Sequence, residues 1–478
     1  MHDKLLRLYH QLPYPLRVLA ASGRGYYLRW WRYGPETERL VAEALERETW
    51  SPARWQAWQQ ERLAYVLHRA ATQVPYYREY WSRRRRRGDG AAWEDLTNWP
   101  LLDKEALRQN PQAFLADDCA RQKMFAIHTS GTTGKPLTLW QNRSTLRQWY
   151  ALFEARWRRW YGVSRQDRWA ILGGQLVAPV ARRQPPFWVW NHGLKQLYLS
   201  SYHLALDLLP AYLDAIVSHR ITYLWGYTSS LYVLAQAALS AGRRDVKMTV
   251  AITNAEPVYE YQRRVIGAAF QCPVRETYGM TEMVAGASEC QHGRLHLWPE
   301  AGVVEIFDGQ EPASLGATGE LVCTGLLNAD MPLIRYRVGD RGTLPAPEQV
   351  CSCGRTLPII QEVEGRNDDV IYTADGRQVG RLDPVFKADF PIREAQIIQE
   401  SLQQIRVRYV PNPEYTDAAG EAIIGQLQDR LGKTAIILEA VTEIPRGPNG
   451  KFQAVKCLLA PEIVKQLQEK SLALARKK

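Results

Sequence analysis

The ten positions His128-Thr129-Ser130-Gly131-Thr132-Thr133-Gly134-Lys135-Pro136-Leu137 hold four hydroxyls, two glycines and one cation, a combination suited to a polyphosphate. Gly131 and Gly134 allow backbone angles that bring N–H groups up to an anion; Ser130, Thr132 and Thr133 donate hydrogen bonds, and Lys135 adds charge. Taken alone, the same residues also suit an ordinary Gly/Thr hairpin turn. They do not form the P-loop of nucleotide kinases, because Pro136 follows the lysine where that motif needs a hydroxyl and a helix start. A second cluster is Cys290-x5-His296 followed by Cys351-Ser352-Cys353-Gly354-Arg355. Three thiolates and one imidazole make a tetrahedral Zn²⁺ set, with His292 as a competing nitrogen ligand and reduced cysteines as the plain alternative. A closed set of four ligands leaves no position for a catalytic water, so such a zinc is structural.

The apolar runs beside the phosphate-loop candidate, Met124 to Ile127 and Leu137 to Trp140, read as strands with the glycines in the turn between them. Upstream, residues 1–35 carry Tyr9, Tyr14, Tyr26, Tyr27, Trp30, Trp31 and Tyr33 among several arginines. That mix suits peripheral attachment at a membrane interface, although docking against the body of the protein is the stronger expectation. Helical periodicity runs from Glu36 to Trp81, and Val74-Pro75-Tyr76-Tyr77 should end it. Residues 82–98 read as an exposed connector ahead of Trp99-Pro100-Leu101-Leu102-Asp103-Lys104, a turn and helix start. Downstream, Arg143 to Trp160 reads as an amphipathic helix. Strand-like runs (Trp169 to Leu172, Tyr223 to Trp225, Val250 to Thr253) then alternate with helical ones (Leu204 to Ser218, Ser229 to Ala241, Tyr259 to Ala269). This alternation predicts an α/β fold with covered, largely parallel sheets. After Pro273 the segments shorten (Val303 to Phe307, Gly319 to Thr324, Ile334 to Tyr336), which predicts a β-rich subdomain. A polar stretch at Glu364 to Asp369 then separates a small C-terminal α/β domain.

A chain of 478 residues with 46% hydrophobic and 23% charged residues has the balance of a globular protein of two or three domains. No apolar run approaches the roughly 20 residues of a membrane span, and the N-terminus lacks a signal-peptide core, so a cytoplasmic location is the default. The net charge of +11 sits largely in arginine clusters such as Arg83 to Arg87 and Arg156-Trp157-Arg158-Arg159. These read as solvated faces, and no nucleic-acid partner is expected. Seven cysteines in a chain of this length do not suggest a disulfide framework.

Further clusters follow in order: Asn254-Ala255-Glu256-Pro257, Tyr278-Gly279-Met280-Thr281-Glu282, Arg335-Tyr336-Arg337-Val338-Gly339-Asp340, Gly365 to Asp369 and Gly447-Pro448-Asn449-Gly450-Lys451. In this order and spacing they resemble the adenylate-forming superfamily of acyl-CoA synthetases, adenylation domains and luciferases. The nearest branch resembles the phenylacetate-CoA ligases and their capsular-polysaccharide-associated relatives, and the resemblance runs from about residue 60 to residue 456. Read singly, Tyr278 would be a buried strand tyrosine, Glu282 a helix cap and Asp340 a turn residue. The ordering of the whole set is what favours the functional reading.

The resemblance implies an ATP-dependent, AMP-forming ligase for a small carboxylic acid. The loop from Ser130 to Lys135 would hold the leaving phosphates, Glu282 would hold Mg²⁺, and Thr281 would offer a hydroxyl to the α-phosphate. Tyr278 with Ala255 and Glu256 would line the adenine slot, Asp340 would accept from the ribose hydroxyls, and Arg366 would face the nucleotide. Lys451 would bridge the acid and the α-phosphate, and Trp225 and Tyr227 would wall the acid pocket. Rotation about a hinge at Asp368 would let one site serve two half-reactions. The implied organisation is a lead region (1–98), a large adenylate-forming domain (99–365) and a small domain carrying the catalytic lysine (366–478). The zinc set also resembles that of the phenylacetate-CoA ligase branch. One departure from the broad superfamily is that Lys135 precedes Pro136 rather than following it. Coenzyme A is the favoured acceptor. The alternatives are an amine or hydroxyl on a sugar or envelope-polysaccharide precursor, in which case the protein joins a polysaccharide assembly, or a catalytically silent nucleotide-binding module. The sequence leaves the oligomeric state open.

Overall fold

Side chains two apart along the central strands go to the same core, and this decides how the main sheet is covered. Ala170, Leu172, Leu224 and Ala251 face one apolar core with the helices Leu209–Ser218, Thr228–Ser240 and Glu260–Phe270. Trp169, Tyr223, Trp225 and Ile252 face a second core with the helices Thr37–Glu46 and Arg143–Trp157. A sheet apolar on both faces must be buried on both, which is the layered α/β arrangement that the sequence predicts. A computed structural model describes residues 2–128, 137–205, 207–256, 258, 260–314, 316–345, 351–364, 371–374, 378–379, 382, 385, 390–444, 455–460, 462–463 and 467.

The main sheet has nine strands in the order Ile359–Ile360, Leu295–Leu297, Gly286–Glu289, Val274–Gly279, Ala251–Asn254, Tyr223–Tyr227, Trp169–Gly173, Gln196–Ser200 and Trp188–Asn191. The five from Val274–Gly279 to Gln196–Ser200 run parallel, and the strands beyond them on either side are antiparallel. A five-stranded antiparallel sheet follows, in the order Glu311–Pro312, Gly302–Asp308, Thr318–Gly325, Tyr336–Thr343, Glu362–Glu364. It shares an apolar core with the helices Pro52–Gln73 and Pro75–Arg86. The C-terminal part is a four-stranded sheet with the helix Asp417–Leu431 against it, packed through Ile397, Val407, Ile423 and Leu427.

Two helices lead the chain, α1 (His2–Gln11) and α2 (Tyr14–Arg32). Local chemistry sets several element ends. Ser51 accepts a hydrogen bond from the Arg54 N–H at the start of Pro52–Gln73, and Asn142 accepts one from Thr145 at the start of Arg143–Trp157. The strands expected beside the glycine-rich loop are present as Phe125–His128 and Thr138–Gln141, paired antiparallel. Other expectations need correction. Val74 ends one helix, but Pro75 opens the next, because a proline at the first helical position lacks only an N–H that would be unpaired anyway. That second helix runs to Arg86, so the arginine cluster is a helix end and not a connector. Helix Leu209–Ser218 starts later than expected, with a proline, Pro210, at its second position. The expected strand at Ile334 begins instead at Tyr336. No helix among the described residues is long and apolar enough to cross a membrane.

Candidate active site

The carboxyl ends of neighbouring parallel strands gather Gly173, Tyr227, Asn254 and Tyr278 along one edge of the main sheet. This is where an open α/β sheet presents ligands, since the chain leaves each strand there and the turns can diverge around a crevice. Tyr278 reaches from this edge to the second sheet, and its Oη donates to Asp340 Oδ2 at 2.9 Å. Asp340 stands in Tyr336–Thr343 directly after Gly339, whose φ of +84° suits glycine. Two residues that the sequence places 62 positions apart thus share a hydrogen bond at the junction of the two sheets.

Beside this pair, Tyr336 Oη donates to Glu282 Oε1 at 3.0 Å, and Lys104 Nζ lies 3.9 Å from the same oxygen. Both contacts fall on Oε1, and a carboxylate has a second oxygen to offer a hard cation such as Mg²⁺. Lys104 is a site residue that sequence reasoning missed. It arrives through a long-range bridge: the Leu102 N–H donates to Arg335 O and the Arg337 N–H to Leu102 O, at 2.9 and 3.0 Å. Lys104 then sits 5.8 Å from the centre of the Tyr336 ring. The short helix start at Asp103 and Lys104 was the only sequence signal.

Among the described residues, three of the six non-glycine positions with positive φ lie in the predicted motifs or next to them: Ala255 (+64°), Met283 (+57°) and Arg335 (+47°). Such angles cost free energy for residues with a Cβ and collect where surrounding structure imposes them. Glu256, expected at the adenine slot, sends its carboxylate elsewhere. Its Oε2 accepts from the Ser229 N–H at 2.7 Å and its Oε1 from Ser229 Oγ at 3.1 Å, at the positive end of helix Thr228–Ser240. The strained turn at Ala255 and Glu256 still lines the cavity.

That cavity measures about 1880 Å³, and Tyr278, Thr281, Glu282, Asp340 and Lys104 share its wall with Trp225 and Tyr227. Pockets for a single drug-sized ligand run to about 1,000 Å³, so this one has room for more than a nucleotide. Trp225 is buried and stacks on Phe153 with ring centroids 4.5 Å apart. Tyr227, two residues on along the same strand, lies at the sheet edge with its hydroxyl near Gly174. Glu276 also lines the cavity, and burial together with the nearby Glu289 pushes its carboxyl up to about 7. Nothing in the sequence distinguished Glu276 from any other strand glutamate.

The cysteine and histidine cluster converges from three places. Cys290 follows the strand Gly286–Glu289, His296 is on Leu295–Leu297, and Cys351 and Cys353 lie in a turn closed by the Gly354 N–H donating to Cys351 O at 3.2 Å. The four ligand atoms lie within 4.8 Å of one another. Cys290 Sγ and Cys351 Sγ are 3.7 Å apart, too far for a disulfide and close to the separation of two thiolates on one tetrahedral Zn²⁺ with bonds of about 2.3 Å. His296 Nδ1 donates to the Leu357 carbonyl at 3.0 Å, which leaves Nε2, 3.5 Å from Cys353 Sγ, to present its lone pair. His292 is exposed and outside the cluster. The residues fit zinc.

Ser130, Gly131, Thr132, Thr133, Gly134 and Lys135, together with Arg366, Asp368 and Lys451, lie outside the described residues. His128 and Leu137, which bracket the loop, both border the cavity.

Residues 56–330 match the sequence model of the AMP-binding enzyme family, and residues 371–457 match that of the CapK C-terminal domain. The first match covers more than half of the 478 residues, and the protein belongs to the AMP-binding enzyme family, within the adenylate-forming superfamily. Its similarities place it in the branch of CapK and the phenylacetate-CoA ligases. It is 26% identical to Protein CapK of Staphylococcus aureus over 385 residues, 79% of this chain and 83% of that protein. To the phenylacetate-coenzyme A ligase of Thermus thermophilus it is 26% identical over 357 residues, 71% of this chain and 74% of the other. The fold is shared with 2-hydroxyisobutyryl-CoA ligase solved with 2-HIB-AMP and CoA in the thioesterification state. That match has a TM-score of 0.54 at 19% identity and covers 88% of this chain and 94% of the other.

Proposed function

We propose that the protein activates a carboxylic acid with ATP, releasing pyrophosphate, and passes the acyl group from the acyl-adenylate to coenzyme A, releasing AMP. The observation that carries this reading is the Tyr278–Asp340 hydrogen bond at the rim of a cavity that also holds Glu282 and Thr281. An aromatic ring beside an acceptor-only carboxylate suits an adenine and its ribose. A carboxylate oxygen of the acid attacks the α-phosphorus and the bond to the β-phosphate breaks. Two anions must meet in this step, so cations are needed. Lys451 serves that need on the small domain, with Lys135 and Arg366 towards the phosphates and nucleotide. Glu282 holds Mg²⁺, which neutralises phosphate charge when bound. Trp225 and Tyr227 wall an acid pocket of aromatic character. Residues 366–478 turn about Asp368 between the two half-reactions, and Cys290, His296, Cys351 and Cys353 hold a structural zinc.

The test is carboxylate-dependent exchange of labelled pyrophosphate into ATP over a panel of aryl, acyl and sugar acids. Exchange with one class and none without acid supports the reading. Failure with every acid, despite ATP binding, supports a silent nucleotide-binding module. A second reading concerns the acceptor: the part of the chain that must meet it matches the CapK C-terminal domain, at residues 371–457. It replaces coenzyme A by an amine or hydroxyl on a sugar. Adding coenzyme A to the activated acid and following thioester by mass separates the two.

A further inference from the structure

Helices α1 and α2 have two unlike faces. The inner face is tied to the protein by three long-range hydrogen bonds: the His10 ring N–H donates to Leu176 O at 2.8 Å, buried Arg17 donates to Val177 O at 3.1 Å, and Ser22 Oγ accepts from the His192 N–H at 3.1 Å. Leu6, Tyr9, Leu28 and Trp31 on this side wall the large cavity, whose lining also takes in Leu5, Arg24 and Arg29 where the two faces meet. The outer face carries Leu5, Leu8, Leu16, Leu19, Tyr26, Tyr27 and Trp30, exposed from 44% at Tyr27 to 65% at Leu19. These are seven of the thirteen large exposed hydrophobics among the described residues, collected on two of the helices. The spacing of those on α2 confines them to one arc of about 100° on a helix of 3.6 residues per turn.

Charge follows the same pattern. From His2 to Pro35 there are six basic residues (Lys4, Arg7, Arg17, Arg24, Arg29 and Arg32) against a single acid, Asp3. Arg24 lies 4.9 Å over the Tyr27 ring and Arg143 lies 3.5 Å over Trp30, so cations border the apolar stripe. Arg7 and Arg29 are exposed beside it.

We infer that the outer face of α1 and α2 is a docking surface for an anionic lipid bilayer, on which the helices lie in the plane of the headgroups. Leucines supply the buried apolar area, tryptophan and tyrosine suit the boundary between headgroup and hydrocarbon, and the arginines meet lipid phosphates. A second copy of this chain is the poorer occupant, because it would bring the same excess of positive charge to the contact. An acidic protein meets the charge, but it does not call for tryptophan and tyrosine among the exposed leucines, which a headgroup boundary does.

The test is flotation of the full-length protein with vesicles of phosphatidylcholine alone, or of equal parts phosphatidylcholine and phosphatidylglycerol, at low and high salt. The expected result is binding to the mixed vesicles that weakens with salt, and little binding to neutral ones. Leu8→Glu with Leu19→Glu lowers that binding by at least about tenfold, and Arg7→Gln with Arg29→Gln lowers it less. All four side chains are exposed, so circular dichroism and melting should match wild type. If the leucine variant does not fold, the dependence of the wild-type protein on lipid charge and salt decides alone. Absence of wild-type binding to mixed vesicles, or equal binding by the leucine variant, overturns the inference. So does a wild-type dimer in solution that the leucine variant dissociates, which would assign the face to a second copy.

Discussion

Tyr278 Oη and Asp340 Oδ2 lie 2.9 Å apart and tie the end of a parallel strand in the main sheet to an antiparallel strand in the second. Replacing Asp340 by Ala removes the acceptor proposed for the ribose and the hydrogen bond that the Tyr278 hydroxyl donates to it. Hydrogen bonds to a charged group contribute about 1.5–3 kcal/mol, so the KM for ATP should rise by roughly 10- to 100-fold. Tyr278→Phe keeps the ring and should cost less. An Asp340→Ala enzyme with an unchanged KM for ATP in steady-state kinetics would remove Asp340 from the nucleotide site.

Glu276 gives a pH signature. Its carboxyl is pushed up from the usual 4.5 to about 7 by burial and by Glu289. Between those values the folded protein holds a proton that the unfolded chain has released, so stability falls as pH rises through this window. Glu276→Gln removes that slope. Relative to wild type the variant should gain stability at pH 8, on the order of 1–3 kcal/mol, and show no such gain at pH 5. Denaturant melts at the two pH values check this, and an equal offset at both would contradict it.

The motifs legible in the sequence were those fixed by local chemistry. The alternation of strand-like runs, such as Trp169 to Leu172 and Tyr223 to Trp225, with helical ones marked the main sheet, because parallel strands need helical crossovers between them. Ala255, Tyr278 and Asp340 were marked by the order of the motifs that hold them, which resembles that of the adenylate-forming superfamily. Lys104 was not legible, since its place depends on the Leu102 bridge to a strand more than 200 residues away. The strands Trp188–Asn191 and Gln196–Ser200 were missed as well. The first has only four residues, two of them tryptophan, and a tight turn through Gly193 joins the two. The lead helices were read as an aromatic and arginine-rich segment, but periodicity could not show that both of their faces are apolar.

Metal content is a third check. Four side chains converging within 4.8 Å should bind about one Zn²⁺ per chain, as structural sites do. Cys351→Ser and Cys353→Ser should each lose most of the metal and lower the melting temperature. Unchanged zinc in both variants would locate any metal elsewhere.

A Lys451 variant tests whether the two half-reactions can be separated. Lys451→Ala should slow adenylation by about 10²- to 10³-fold, the usual cost of removing a charge contact made in the transition state. The same variant should convert supplied acyl-adenylate and thiol at close to the wild-type rate. Equal losses in both steps would argue against a small domain that serves them in two positions.

The central claim is that an oxygen of the acid becomes bonded to the α-phosphorus. An acid labelled with ¹⁸O in its carboxylate tests this directly: attack forms a P–¹⁸O bond, and cleavage of the acyl C–O bond on transfer leaves that oxygen on AMP. Mass analysis should find one ¹⁸O in the AMP released, in proportion to acyl product. Unlabelled AMP, or ADP in its place, would contradict the account.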